Sequence, residues 1–228
     1  MLKGLYLRAV KIYNEEGLKT LLLKTKKFSG RFIKNGFKIP RYQTDERVDT
    51  EERWEILQDH IDADDENLVD IGCADGYLTS KFHEEGLFCI GIDRAEQMLT
   101  YARSGNEYAD GICFMRYDVT PNSISKLPHF DITLLLTVYH HWVSSYGLEK
   151  AEEMLINISK NTNKLFFQPP GREIHANVSK SPDESIEEYY TNYLREILPK
   201  DADIQYLDTT DYTGGERNDP LYLISRDF

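Results

Sequence analysis

Leu68-Val69-Asp70-Ile71-Gly72-Cys73-Ala74-Asp75-Gly76 is the stretch whose reading decides the fold. A short apolar run carries Asp70, a turn follows with Gly72, Ala74 and Gly76, and a helix-like segment begins at Tyr77. A buried parallel strand that feeds a glycine-rich turn is how α/β folds bring backbone N–H groups against a ligand. The dinucleotide fingerprint G-x-G-x-x-G does not fit. With Gly72 as its first glycine, its second and third positions hold Ala74 and Tyr77.

Downstream of this stretch, strand and helix patterns alternate. The spacing predicts strands over 68–72, 88–93, 113–119, 130–138 and 164–168, with helices over 77–85, 95–103, 148–159 and 184–198. Two last strands are expected over 204–207 and 221–225, joined through Gly214-Gly215 as a hairpin. Continuous apolar strands separated by helices imply a parallel sheet covered on both faces. Upstream, Thr50-Glu51-Glu52-Arg53 reads as a helix start with Thr50 as N-cap and acids in the first turn, and residues 35–50 read as a linker. Residues 4–34 read as helical, divided at Gly17, with Leu5, Val10, Leu18 and Leu21 among many lysines.

The 228 residues suffice for one α/β domain with an extension. No apolar run of about 18 residues is present, so no membrane span is expected. Three cysteines, Cys73, Cys89 and Cys113, without C-x-x-C spacing point to reduced thiols and a cytoplasmic location, and to no metal cluster. The net charge is −12, unevenly placed. Residues 1–41 hold 11 Lys or Arg against Glu15 and Glu16, a balance of +9, which leaves 16 basic and 37 acidic residues, −21, for the rest. A basic arm of this kind can meet an anionic membrane surface, or pack on the domain with a solvated face. The acidic body disfavours nucleic acid as a partner, since neutralising phosphates supplies most of the non-specific affinity.

The turn matches D-x-G-x-[GA]-x-G, and so resembles motif I of the class I S-adenosylmethionine (SAM) methyltransferases: Asp70, Gly72 and Gly76 match, and Ala74 stands at the middle glycine. The resemblance implies a Rossmann-like three-layer α/β/α sandwich. Its seven-stranded sheet would be mostly parallel with an antiparallel C-terminal strand, preceded here by N-terminal helices. It divides the chain into a basic helical extension, 1–45, and a methyltransferase domain, 46–228. SAM would be the cofactor and S-adenosylhomocysteine the product, held on Asp70, Gly72, Cys73, Ala74, Asp75 and Gly76.

Asp93 closes the run Phe88–Ile92, where an ionised carboxylate can accept from both hydroxyls of a ribose, or can cap the next helix. Arg94 and Gln97 follow it, and Met98 is placed to pack on the adenine. The family pattern gives Asp118 to the adenine amino group and the Val119 N–H to the ring; the alternative is a turn before Thr120-Pro121. Asp75 is read either as orienting the methionine amino group or as capping the helix at Tyr77. Phe130–Trp142 resembles the fourth-strand motif of the superfamily, which makes Asp131 structural and sets Thr137, Val138, His140 and His141 near the transferable methyl. A histidine there can be the general base for an oxygen nucleophile; otherwise both histidines pack or cap. No metal is expected, for want of further ligands at suitable spacing.

Gln168-Pro169-Pro170-Gly171 follows the fifth strand and reads as a loop near the acceptor, with Arg172 and His175 open to an anionic acceptor or to solvent. Tyr189, Tyr190 and Tyr193 have helical spacing and read as packing. Residues 9–18, with Arg47–Trp54 and Val138–Trp142, look similar to segments of microbial glycan-assembly proteins. The resulting expectation is O-methylation of a sugar or uronic acid in surface polysaccharide or glycolipid synthesis, peripheral to the inner membrane face. The alternatives are methylation of tRNA or a small metabolite, or SAM binding without catalysis.

Overall fold

The computed structural model of the chain describes residues 41–107, 109–172, 181, 183–212 and 218–226. The expected N-terminal helices, the Gly214-Gly215 turn and His175 lie outside the described residues. A short π-helical turn, Tyr42–Glu46, precedes α1 (Thr50–Gln58). Then come β1 (Asn67–Ile71), α2 (Tyr77–Glu84), β2 (Phe88–Asp93), α3 (Glu96–Gly105), β3 (Ile112–Arg116), β4 (Phe130–Leu136), α4 (Tyr139–Tyr146), α5 (Leu148–Ser159), β5 (Thr162–Gln168), α6 (Ile186–Ile197), β6 (Asp203–Asp211) and β7 (Asn218–Ser225). The seven strands form one sheet in the order β3-β2-β1-β4-β5-β7-β6. All neighbours from β3 to β5 are parallel, and β7 runs antiparallel between β5 and β6. This is the Rossmann-like sandwich that the sequence predicted.

Alternation along the strands builds the two layers. Val69, Ile71, Leu135, Leu165, Phe167, Tyr222 and Ile224 face a core with α4, α5 and α6, in which Tyr189, Tyr190 and Tyr193 are buried packing residues as expected. Leu68, Leu134, Phe166, Leu221 and Leu223 face the other core, with Trp54 and Leu57 of α1 and Leu78 and Phe82 of α2. A capping box closes the start of α6, where the Ser185 hydroxyl accepts from the Glu188 N–H and the Glu188 carboxylate accepts from the Ser185 N–H. Asp131 lies at the start of β4 and accepts from the N–H groups of Glu66 and Asn67 at 2.9 and 3.1 Å, so it is structural.

Four sequence-based expectations change. Residues 41–49 are not a linker: Gln43, Arg47 and Asp49 are buried against the domain. Thr50 is the first residue of α1, not its cap, and its hydroxyl donates back to the Gln43 carbonyl. The strand β3 stops at Arg116, which puts Asp118 in the following loop. The residues after β4 form a helix, α4, because Tyr139 and Trp142 are three apart and both reach the core.

Gly76 shows why the turn needs its last glycine. Its φ is +76°, and a Cβ there would lie 2.6 Å from Phe114 Cε1 and 2.7 Å from Ala102 Cβ. Left-handed backbone costs a residue with a Cβ about 1–2 kcal/mol, and overpacking adds about 1–3. Gly76→Ala is therefore expected to destabilise the protein by about 2–5 kcal/mol. Thermal melting checks this; an unchanged midpoint would mean that the turn relaxes freely.

Candidate functional site

The order of strands reverses between β1 and β4, and a crevice opens there beyond their carboxyl ends. Register brings the ends level: Ile71 pairs with Ile92, and Asp70 with Leu134. The result is a cleft of about 260 Å³. Its walls are Ile71, Gly72 and Ala74 from β1 and its turn, Ile92, Asp93, Arg94 and Met98 around the end of β2, and Tyr117, Asp118 and Val119 after β3. Leu136, Thr137, Val138, His141, Trp142, Ser145 and Tyr146 complete it from the β4 side, and Tyr42 from the N-terminal turn.

The glycine turn is shaped by hydrogen bonds to the end of β2. Gly72 and Cys73 N–H donate to the Ile92 carbonyl at 2.8 and 3.1 Å. Asp93 spans the turn and the next helix: its Oδ2 accepts from Ala74 N–H at 3.0 Å and its Oδ1 from Ala95 N–H at 2.7 Å. Ala74 has a left-handed φ of +49°. Thr137 at the end of β4 has φ +58°, a strained conformation for a β-branched residue. It is held there by its N–H to the Gln168 carbonyl at 2.7 Å and its hydroxyl to the Leu136 carbonyl at 2.7 Å.

The structure does not bring every expected residue to the cleft. Asp70 is buried beneath it and accepts from the Thr79 hydroxyl at 2.6 Å; burial pushes its pKa up to about 7. The Cys73 side chain packs with Leu99, Ala102 and Phe114 behind the turn, and burial raises its thiol far above the usual range. Gly76 supports the turn from the same side. Gln97 is exposed on α3, outside the cleft wall. Asp75 does not cap α2, whose N-cap is Gly76 without a side-chain bond. It accepts from the Gln43 N–H at 3.1 Å instead. His141 is on the cleft wall, whereas His140 is not; their rings lie 4.0 Å apart. Burial, then the Arg94 charge, lowers the pKa of His141, with Asp93 opposing, so the ring is neutral at pH 7.

Sequence reading missed the N-terminal contribution. Arg47 is buried and donates from Nε and Nη2 to both oxygens of Asp49, each at 2.7 Å. Its Nη1 lies 3.3 Å from the Thr137 hydroxyl and 3.4 Å from the Tyr42 hydroxyl, and its guanidinium stacks 4.6 Å from the Tyr212 ring centroid. Thr210 donates to Asp49 at 2.6 Å, and Gln168 Nε2 donates to Thr210 at 2.9 Å. A buried polar network thus ties the segment to the ends of β4, β5 and β6. Arg53, 2% exposed, reaches Gln168 Oε1 at 3.4 Å; burial lowers its pKa to about 10. The missed signal was an arginine and an aspartate two apart in a segment with little apolar patterning. Among the described residues, no group of three or more His, Cys, Asp or Glu could hold a metal ion, and no helix is long and apolar enough to cross a membrane.

Comparison with known proteins adds three findings. Residues 68–161 match the family model described as "Methyltransferase domain". The O-antigen chain terminator bifunctional methyltransferase/kinase WbdD of Escherichia coli is 22% identical over 200 residues, 83% of this chain but 27% of that protein. The chain therefore spans about a quarter of the length of that relative. A crystal structure of WbdD superposes with a TM-score of 0.66 at 21% identity, covering 83% of this chain and 43% of that one. The 16S rRNA methyltransferase RmtF, solved with S-adenosyl-L-homocysteine, gives 0.55 at 16% identity over 78% of this chain and 62% of its own. At such identities the superpositions speak for the fold. Residues 68–161 thus match a methyltransferase domain, and the sheet with its glycine turn at the switch point has the fold of these methyltransferases.

Proposed function

We propose that the chain transfers a methyl group from SAM to an oxygen of a sugar or uronic acid in the synthesis of surface polysaccharide or glycolipid. The observation that carries the cofactor reading is the Asp93 carboxylate on the cleft wall, at the end of β2, where a ribose can donate two hydroxyls to it. The rest of the cleft suits the group: Met98, Ile92 and Val119 offer apolar surface for an adenine beside Asp118, and Gly72 and Ala74 line the turn towards Thr137. When bound, SAM supplies an electrophilic methyl on a sulfonium. The protein has to align the acceptor oxygen and, where that oxygen carries a proton, remove it.

For a hydroxyl acceptor, that base would be His141: it lines the cleft with a pKa lowered by burial, and its imidazole would take the proton from the acceptor oxygen. A carboxylate acceptor needs no base. The acceptor class rests on the resemblance of this chain, over 83% of its length, to a protein named as an O-antigen chain terminator. The basic residues 1–41 would hold the enzyme at an anionic surface, next to a lipid-linked substrate. Methylation of RNA is the second reading, favoured by fold likeness to an rRNA methyltransferase and opposed by the −21 balance after residue 41.

Transfer of radiolabelled methyl from SAM into an extract of the source cells, partitioned into lipid-linked sugar and RNA, tests these readings. Label is expected in the lipid-linked fraction; label in RNA would move the acceptor to the second reading, and SAM affinity with no transfer at all would leave a non-catalytic binder. With a hydroxyl acceptor, His141→Ala should lose about 10²–10⁴ in kcat and His140→Ala only a few-fold.

A further inference from the structure

Three of the four crossovers between parallel strands are helical, and the fourth is not. Between β3 and β4 the only helical piece is a short 3₁₀ turn, Ile124–Lys126, whose Ile124 is buried with Val69 and Ile71. The far end of that sheet face is left uncovered among the described residues. Register puts Ile90 beside Cys113 and Ile92 beside Met115, on the face that Val69 shares, and alternation adds Phe88. Phe88 is 67% exposed, Met115 45%, and Cys113 is exposed as well. An exposed apolar side chain standing singly is ordinary, but neighbours on one bare sheet face mark an interaction surface.

The same strand is the edge of the sheet, since β3 pairs with β2 alone among the described strands. Tyr117 N–H donates to the Asp93 carbonyl, and the Gly111 carbonyl accepts from Cys89 N–H, so the odd-numbered backbone groups turn to β2. Those of Ile112, Phe114 and Arg116 turn outward. The Phe114 carbonyl takes one bond from Arg103 Nε at 3.0 Å, and a carbonyl can accept a second. Such an edge is a template for another strand.

Charge selects which strand. Asp110 and Arg116 flank β3 at its two ends, both exposed and neither in a salt bridge among the described residues. An antiparallel copy of β3 with Asp110 opposite Arg116 satisfies both ends at once, because a two-fold axis repeats every contact. The same register sets Ile112 opposite Phe114, whose backbone groups face outward, and Cys113 opposite itself. It also sets Met115 opposite Gly111, where a Cβ would lie 3.3 Å from Phe88 Cδ1. The thioether thus meets a residue with no side chain and an aromatic ring to pack on.

We propose that β3 pairs antiparallel with β3 of a second copy of this chain, across a two-fold axis at Cys113, with Met115 of each copy packed on Phe88 of the other. The strand runs straight into Tyr117, Asp118 and Val119 of the cleft wall, so each copy steadies part of the other's cleft.

Sedimentation of the full chain from micromolar to sub-millimolar concentration tests this. A five-residue strand pair is a small interface, so a reversible dimer is expected in that range. Arg116→Asp and Asp110→Arg each set like charges against each other at both ends, and each should weaken self-association by about 10-fold or more. Mixing the two variants restores opposite charges at both ends and should recover a heterodimer as tight as the wild-type dimer. Met115→Lys should leave monomer. A further readout needs no change at the ends of the strand. Cys113 is the exposed thiol of the three, so bismaleimidoethane should link two wild-type chains through it, and Cys113→Ser should lose the link but keep the dimer. Wild-type monomer at every concentration overturns the proposal. A dimer that the single variants keep, that the mixture fails to restore, or that the reagent fails to link overturns it too, because the interface then lies elsewhere.

Discussion

Asp93→Ala is expected to weaken binding of S-adenosylhomocysteine by at least about 100-fold. A hydrogen bond to a charged group contributes about 1.5–3 kcal/mol, and a ribose presents two hydroxyls to this carboxylate, so about 3–6 kcal/mol is at stake. The substitution also releases the turn, because Asp93 Oδ2 accepts from Ala74 N–H at 3.0 Å. Asp93→Asn keeps the shape and one acceptor oxygen but no charge, and should lose about 10-fold. Titration calorimetry on the two variants separates these contributions. Heat of the wild-type size from Asp93→Ala would mean that the ribose lies elsewhere, and Asp93 would then be only the cap that its bond to Ala95 N–H at 2.7 Å also describes.

Arg47→Met should destabilise the fold by about 3–5 kcal/mol at neutral pH, the cost of leaving one partner of a buried ion pair alone. In the native protein burial pushes Asp49 up, but the hydrogen bonds and charge of Arg47 outweigh it and hold the Asp49 pKa below its usual value. The stabilisation from this depressed carboxylate is present above the unfolded value of about 3.9 and is lost as the pH falls through the folded one. In the variant the sign reverses. Burial is no longer opposed by Arg47, the folded pKa rises above the unfolded one, and stability falls as the pH rises between them. The deficit of the variant should therefore shrink on acidification towards pH 4, which denaturant melts at a series of pH values will show. A deficit independent of pH would mean that Asp49 finds another cation. Arg47→Met with Asp49→Leu should recover much of the loss, since a buried pair replaced by apolar side chains is often neutral. Such a double variant should still bind S-adenosylhomocysteine weakly, because the Tyr42 and Thr137 hydroxyls both lose the Arg47 nitrogen that joins them.

The two variants touch parts of the cleft that differed in legibility. Asp93 could be found because it ends an apolar run at a fixed distance from Asp70, and both facts survive in a linear pattern. Gly72, Ala74 and Met98 followed from the turn and the run before it, Val119 and Val138 from the family resemblance, and all of them reach the cleft wall. Arg47 and Gln43 could not be found that way. Their partners are Thr137 and Tyr42 for one and Cys73 and Asp75 for the other, mostly 30 to 90 residues distant in the chain. The histidines fell between these cases. The pair His140-His141 was visible, but which ring meets the cleft depends on the start of α4, and a helix turns successive side chains about 100° apart.

What the sequence by itself determined was the architecture: alternating apolar strands and amphipathic helices can bury their faces only as a covered parallel sheet, and the glycine turn after β1 fixes where a ligand approaches it. Tertiary structure alone decided which polar residues meet. It sent Asp70 and the Cys73 thiol behind the turn, turned Asp75 towards the N-terminal segment, and drew Arg47 into a buried pair with Asp49 under Tyr212. The physical reason is range. Periodic burial is a local property repeated along the chain, whereas a buried charge is tolerated only where distant groups converge to satisfy it, and that convergence exists only once the sheet has formed.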